Sequence, residues 1–291
     1  MRRLIVNADD FGLTCGVNRA VVDLHRAAAL TSATLMAASS RFDEAVALAA
    51  QESALGVGCH IVLVDGSPVA DPASIPSLLA SPRPTEAAAK FRLTLGEFVR
   101  DLALGRIRSA EIEREATAQI RKLQQAGIAV THIDTHKHTH IFPLVLESVL
   151  RAAAACGIQA IRNPFEPAWC PRATPGASVT RRLQVRALGS FRGNFLRRVR
   201  ERGLATTDGC LGVLATGTLN DATLQSILHS MREGTWELVC HPAYVDDELR
   251  GTRTRLKESR AVELSALQEL PNIVARLDGA VALVDFRQLM E

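Results

Sequence analysis

Apolar runs of four to seven residues punctuate the chain: Leu4 to Ala8, Ala33 to Ala37, Val57 to Leu63, Val130 to Ile133, Ile158 to Ile161, Leu211 to Leu214, Trp236 to Cys240 and Val281 to Val284. Their length and β-rich content predict buried strands. Between several of them lie Ala-, Leu-, Glu- and Arg-rich stretches with apolar positions at helical spacing. These are Arg41 to Glu52, Ser109 to Ala126, Leu144 to Ala155, Ala222 to Arg232 and Thr254 to Leu277. Strand then helix, repeated, predicts a parallel sheet or barrel. The alternation runs from Leu4 to Val284 without a linker rich in Gly, Ser or charge. The expected fold class is therefore α/β, a single TIM-like (β/α) barrel of about seven or eight strands over residues 1–291, with a doubly wound open sheet as the alternative.

Two segments break the rhythm. Residues 65–94 carry prolines at 68, 72, 76, 82 and 84 and read as a long insertion over one end of the barrel. Residues 172–202 hold nine arginines against Glu201 alone, a local charge of +8 in a chain whose net charge is +3. Leu188, Phe191, Phe195 and Val199 follow helical spacing there, although Gly189 and Gly193 each cost a helix about 1 kcal/mol relative to Ala. The segment is either an outer barrel helix with a solvated basic face or a contact for an anionic surface, a membrane included.

Composition narrows the class. Hydrophobic residues make up 47% and charged residues 22%, which excludes a long disordered chain and leaves material for a sizeable core. A net charge of +3 does not make nucleic acid the expected partner. No window approaches the ~18 consecutive apolar residues of a membrane span, and the opening Met1-Arg2-Arg3-Leu4-Ile5-Val6 does not read as a signal peptide. The six cysteines form no CxxC pair and no regular framework, so a reducing cytoplasm is the expected compartment.

Chemistry gathers at the strand ends. The first run ends in Asp9-Asp10, the third contains His60, the fourth leads into Asp134-Thr135-His136, Ile161 precedes Arg162, and Cys240 precedes His241. In a parallel barrel these ends share one rim, where barrel enzymes keep their active sites. Each has an ordinary reading: a turn with a helix cap at Asp9-Asp10, a structural histidine at position 60, a strand terminator at His241-Pro242, an ion-pair partner at Arg162. Together they require five coincidences. Two imidazoles and a carboxylate suit a divalent metal, zinc or magnesium, with coordination positions left for water and substrate. His132 to His140 holds four of the eight histidines, more than one metal needs. A helix starting at Phe142-Pro143 implies a turn after His136 that carries His138 and His140 to the wall of the cleft.

Asn7-Ala8-Asp9-Asp10-Phe11-Gly12, Gly58-Cys59-His60-Ile61-Val62-Leu63, His132-Ile133-Asp134-Thr135-His136-Lys137-His138-Thr139-His140 and Cys240-His241-Pro242 resemble, in order, the motifs of the YdjC-type carbohydrate deacetylases. Val62-Leu63-Val64-Asp65-Gly66-Ser67-Pro68 and Pro164-Phe165-Glu166-Pro167 further resemble the branch associated with hopanoid lipid biosynthesis. The resemblance implies a TIM-like barrel and metal-dependent removal of acetyl groups from acetamido sugars. By motif position, Asp10, His60 and His136 hold one divalent metal ion. Similarity to the wider polysaccharide deacetylases makes Asp9 the base and His241 the acid, with the assignment of base and ligand between Asp9 and Asp10 left open. Arg162-Asn163-Pro164-Phe165 resembles their Arg-x-Pro-Tyr segment except at Phe165. Arg162 and Asp134 then orient base and ligands, with His138 and His140 as supporting or substrate-binding groups. The expected partner is an acetamido sugar, free or lipid-linked, with peripheral membrane contact and homo-oligomerisation left open. The alternatives are a metal-dependent hydrolase of phosphoester or glycosidic bonds and a noncatalytic metal- or sugar-binding barrel. Released acetate, against phosphate or reducing sugar, separates them.

Overall fold

The structure, a computed structural model, describes residues 1–80, 89–277 and 281–290. Its strands are β1 (Arg2–Phe11), β2 (Ser32–Leu35), β3 (Gly56–Ile61), β4 (Ile133–Thr135), β5 (Gly209–Leu211), β6 (Gly234–Cys240) and β7 (Val281–Leu283). They pair in the order β4-β3-β2-β1-β6-β5, with β7 on the start of β1, and every pairing is parallel. The chain thus reaches β5 at the far edge before β6 beside β1, whereas a doubly wound sheet would return to the centre first.

Backbone contacts also continue past both edges. Ile161 bridges to Ile133 of β4, Ala160 bridges to Ala205, and the Cys210 amide of β5 donates to the Phe165 carbonyl at 3.0 Å. The sheet therefore curls in a barrel-like α/β arrangement. The strand expected over Ile158 to Ile161 is reduced to those bridges. Just beyond it, Pro164 lacks an N–H, and the Asn163 side chain bonds the Thr207 carbonyl and the Phe165 amide in place of a ladder. The strand expected over Val130 to Ile133 starts at its last residue, Ile133.

Helices fill the connections: α1 (Cys15–Arg26), α2 (Phe42–Ala49), α3 (Leu95–Ala103), α4 (Ser109–Gln125), α5 (Pro143–Ala155), α6 (Cys170–Ala173), α7 (Val179–Leu188), α8 (Arg192–Glu201), α9 (Asp221–Ser230), α10 (Asp247–Gly251), α11 (Glu258–Gln268) and α12 (Leu270–Ala275). Two of them, α1 and α3, begin at threonines whose hydroxyls accept from the amides of Val17 and Glu97. The helix expected over Thr254 to Leu277 is divided at Glu269, two residues before Pro271. One apolar cluster extends from Leu4 to Leu277.

The two irregular segments behave differently. The first is tied down at its base, where Asp65 and Arg92 share a backbone bond and Leu79 bridges Phe91. Glu115 and Glu111 of α4 accept the amides of Val69, Ala70 and Ser77. Pro82 and Pro84 lie outside the described residues. The second is two helices rather than one, broken by a 3₁₀ turn at Gly189–Phe191. Phe195 and Val199 of α8 are buried, while α7 buries no residue. Six of the nine arginines are engaged, for example Arg198 and Arg202 with Glu147, leaving Arg172, Arg186 and Arg200 exposed and without a partner among the described residues. Most of the +8 is therefore spent on the fold itself.

Candidate active site

A bulge in β1 builds the first part of the site. Neighbouring side chains on a regular strand point to opposite faces, so Asp9 and Asp10 would diverge. The β1–β2 register shifts between Ala8 and Phe11, and Asp10 takes a left-handed φ of 67°. Bulges re-aim side chains in this way, and a non-glycine residue held left-handed stores strain at the place it serves. The chain turns at Gly12, with φ 91°, where a Cβ would lie 2.6 Å from the Ser39 hydroxyl.

Three donor atoms then converge. Asp10 Oδ1 lies 3.5 Å from His60 Nε2 and 3.5 Å from His136 Nδ1, and the two nitrogens are 3.2 Å apart. Asp10 Oδ1 is buried with no hydrogen-bond partner. Tetrahedral zinc, with bonds of about 2.0–2.1 Å, sets neighbouring donors about 3.4 Å apart, whereas octahedral magnesium sets them at about 3.0 Å. The spacing fits a metal and lies nearer the tetrahedral value. His60 donates through its Nδ1–H to Asp134 Oδ1, 2.8 Å away, the carboxylate–histidine pairing that orients metal ligands.

Charge supports the same fit. Asp9, Asp10, Asp134, Glu237 and Glu263 are buried here against two guanidiniums, Arg162 and Arg260. The excess of carboxylates shifts the ionisation of the groups around it. Burial alone would lower the His60 imidazole, but Asp134, Asp9 and Asp10 raise it to about 9. Burial pushes the Glu237 carboxyl up to about 7 against the pull of Arg162. A divalent cation would take the place of the proton on His60.

Arg162, wholly buried, is the hub of the second part. It forks onto Asp9 at 2.7 and 2.9 Å, donates from Nε to Glu237 at 2.7 Å, and meets Asp134. Burial raises the Asp9 carboxyl, yet Arg162, His60 and His241 together hold it well below the usual carboxylate range. Asp9, His60 and Asp134 also form a possible ligand group, but both carboxylates already face Arg162. His241 Nε2 stands 3.9 Å from Asp9 Oδ2, and its side chain is 13% exposed. An ionised carboxylate and an imidazole therefore stand side by side, next to the three convergent donors.

The family model described as YdjC-like protein matches residues 3–271. The chain belongs to this YdjC-like family. Among its relatives is a protein of Brevibacillus brevis named carbohydrate deacetylase, 32% identical over 290 residues that cover 99% of each chain. Another, from Salmonella paratyphi C and named chitooligosaccharide deacetylase, is 31% identical over 252 residues covering 86% of this chain and 84% of its own. A solved Enterococcus faecalis protein, named for cellobiose-phosphate cleavage, superposes with a TM-score of 0.75 at 22% identity, covering 99% of this chain and 98% of that one. That likeness is one of fold.

The remaining histidines of this YdjC-like chain separate by environment. Lys137 and His138 both adopt left-handed φ, 56° and 52°, so the backbone turns immediately after His136. His138 is half-buried with an unpartnered Nδ1. His140 does not reach a cleft wall: it is fully buried, bonded through Nδ1 to the Thr135 hydroxyl at 2.6 Å and through Nε2 to the Arg162 carbonyl at 3.2 Å. Burial lowers it to about 4, so it is a neutral brace. His132 is buried in the strand layer below, stacked 3.6 Å from Phe286, where only Gly58 leaves it room.

Three functional candidates were not found by sequence reasoning: Glu237, Arg260 and Glu263. Glu237 interrupts the apolar run of β6, and Arg260 and Glu263 interrupt the buried stripe of α11. A charge on an otherwise apolar face was the available signal.

Proposed function

We propose that the protein is a metal-dependent deacetylase that hydrolyses the N-acetyl group of an acetamido sugar. The observation that carries this is the convergence of Asp10, His60 and His136 donors within 3.5 Å of one another, beside the Asp9–His241 pair. The names of relatives at about 30% identity support the same chemistry. Asp10, His60 and His136 would hold one divalent ion, zinc by the spacing, which supplies Lewis-acid activation of water and of the acetyl carbonyl. Asp9, kept ionised by Arg162, takes the proton from the attacking water. His241 gives its proton to the departing sugar nitrogen, so that the C–N bond breaks to acetate and free amine. Assistance of this kind is worth about 10²–10⁴-fold for each group. Asp134 fixes the His60 ring, and His138 lines the approach.

Residues 1–291 act as one catalytic domain in this reading, supported by the apolar cluster from Leu4 to Leu277. No helix among the described residues is long and apolar enough to cross a membrane. Six free cysteines support a cytoplasmic setting. A lipid-linked substrate, such as an N-acetylglucosaminyl hopanoid, is the finer reading. It is supported by α7, whose Val179 and Leu183 are 73% and 61% exposed one turn apart, with exposed Arg186 on the same face. This suits reversible contact with an anionic lipid surface. The test is incubation with N-acetylglucosamine-bearing substrates, soluble and lipid-linked, with added zinc or magnesium. Acetate and amine in equal amounts are expected; phosphate, a new reducing end or no product would overturn the proposal.

A further inference from the structure

Two charged side chains reach the site from a helix near the far end of the chain. Arg260 and Glu263 lie three residues apart on α11, and each is 1% exposed. Residues three apart share a helix face, here one that otherwise buries Leu264 and Leu267. Burying a guanidinium and a carboxylate in such a stripe is unfavourable unless both are paired. Both are paired, and with the two halves of the proposed site. Arg260 Nη2 donates to Asp10 Oδ2 at 2.5 Å, while its Nε is anchored on the Leu256 carbonyl at 3.0 Å. Glu263 Oε2 accepts the His241 amide at 2.6 Å and lies 3.9 Å from His241 Nδ1. The Arg260 carbonyl also accepts the Ala243 amide at 3.3 Å, which ties down the turn after His241.

We propose that α11 is the positioning element of the site, with Arg260 confining Asp10 to ligation through Oδ1 and Glu263 holding His241 with Nε2 toward Asp9. This rests on the deacetylase reading for His241 but not for Arg260. A carboxylate with both oxygens free can close on a metal with two atoms and fill a position that substrate needs. With Oδ2 held by the guanidinium, only Oδ1 remains, the oxygen that is 3.5 Å from both imidazole donors. His241 Nδ1 is buried without a hydrogen-bond partner and Glu263 Oε2 stands 3.9 Å from it, so a proton is favoured there by the carboxylate's charge and Nε2 is left for transfer to a leaving nitrogen. Because one helix turn carries both residues, ligand and acid keep a fixed separation.

The experiment uses the full chain and four variants, Arg260→Gln, Arg260→Lys, Glu263→Gln and Glu263→Asp, each checked for cooperative unfolding. Zinc affinity is measured by competition with a chromophoric chelator, which requires no turnover. Arg260→Gln is expected to bind zinc about tenfold or more tightly, since the freed Oδ2 can join Oδ1 on the ion and the competing guanidinium charge is gone, with Arg260→Lys between it and wild type. Glu263→Gln is expected to remain within about threefold of wild type, since Glu263 touches no ligand. On an acetamido sugar, Glu263→Gln should lose about tenfold or more in kcat with KM little changed, and Glu263→Asp should recover part of it. On p-nitrophenyl acetate, whose leaving group needs no proton, Glu263→Gln should match wild type. Wild-type or weaker zinc affinity in folded Arg260→Gln, or equal losses of Glu263→Gln on amide and ester, would overturn the proposal. Imidazole ¹⁵N shifts of His241 test Glu263 without turnover: Nδ1 is expected to be protonated in wild type, and an unprotonated Nδ1 would refute its pairing. A wild type inactive on every acetamido sugar would sink the deacetylase reading while leaving both binding measurements informative.

Discussion

Replacing Arg162 by lysine keeps the central positive charge and removes the fork. The guanidinium donates to both Asp9 oxygens and to Glu237 at 2.7–2.9 Å and also meets Asp134, all without solvent. A lysine ammonium is a compact point charge that cannot span three carboxylates, so at least two charge-assisted bonds are lost. At about 1.5 kcal/mol or more each, the loss is about 3 kcal/mol, and a broken buried ion pair sets an upper range near 5 kcal/mol. Against a typical domain stability of about 5–15 kcal/mol, Arg162→Lys should fold but be severely weakened. Urea denaturation at pH 8 measures this directly. The deficit should shrink toward pH 5. A carboxylate left without its partner has its folded-state pKa raised above the unfolded value, so its protonated form relieves the folded state as pH falls. A deficit below about 1 kcal/mol, or one that grows toward acid, would refute the reasoning that the fork holds these carboxylates together.

Other outcomes follow from single groups. Asp9→Asn and His241→Ala should each keep near-normal metal affinity and lose about 10²-fold or more in turnover; loss of metal in Asp9→Asn with retention in Asp10→Asn would exchange the two roles. Because His60 is held up at about 9, metal must displace its proton, and titration calorimetry should find about tenfold weaker binding at pH 7 than at pH 8, with proton release; pH-independent binding would contradict it. Burial pushes the Glu166 carboxyl up to about 7, whereas in the unfolded chain it ionises near 4.3, so stability is lost as pH rises through that window. Thermal unfolding should therefore show Glu166→Gln equal to wild type at pH 5 and more stable at pH 8 by about 2 kcal/mol, and equal stability at both would count against it. Co-sedimentation with anionic vesicles should be weakened when Val179 and Leu183 become Ser and Arg172, Arg186 and Arg200 become Gln, since each surface arginine contributes up to ~1 kcal/mol at low salt. Equal, salt-insensitive recovery would make α7 an ordinary surface helix.

The strand ends were legible because a parallel sheet brings alternate, distant positions to one rim, and Asp9, Asp10, His60, Asp134, His136, Arg162 and His241 all follow apolar runs or interrupt them near their ends. Periodicity also located α4, α5 and α9 to within two residues at either end. The β1 bulge was not legible, because a register shift depends on which strand lies alongside. Nor were Arg260 and Glu263, whose partners are 250 and 22 residues away in sequence. A charge count could not tell that most arginines of 172–202 bond neighbouring carboxylates and carbonyls. His140 was expected as a supporting group at the cleft wall rather than a ligand, and it braces the site from within, buried between the Thr135 hydroxyl and the Arg162 carbonyl.

Among the described residues two possible ligand groups share His60, one with Asp10 and His136, which the proposed mechanism requires, and the other with Asp9 and Asp134. Anomalous scattering at the zinc edge from crystals of the full chain distinguishes them in one map. A single strong peak about 2 Å from Asp10 Oδ1, His60 Nε2 and His136 Nδ1, with Arg162 still on Asp9, is the predicted result. A peak held by Asp9 and Asp134, or zinc bound only at His138 and His140, would contradict it.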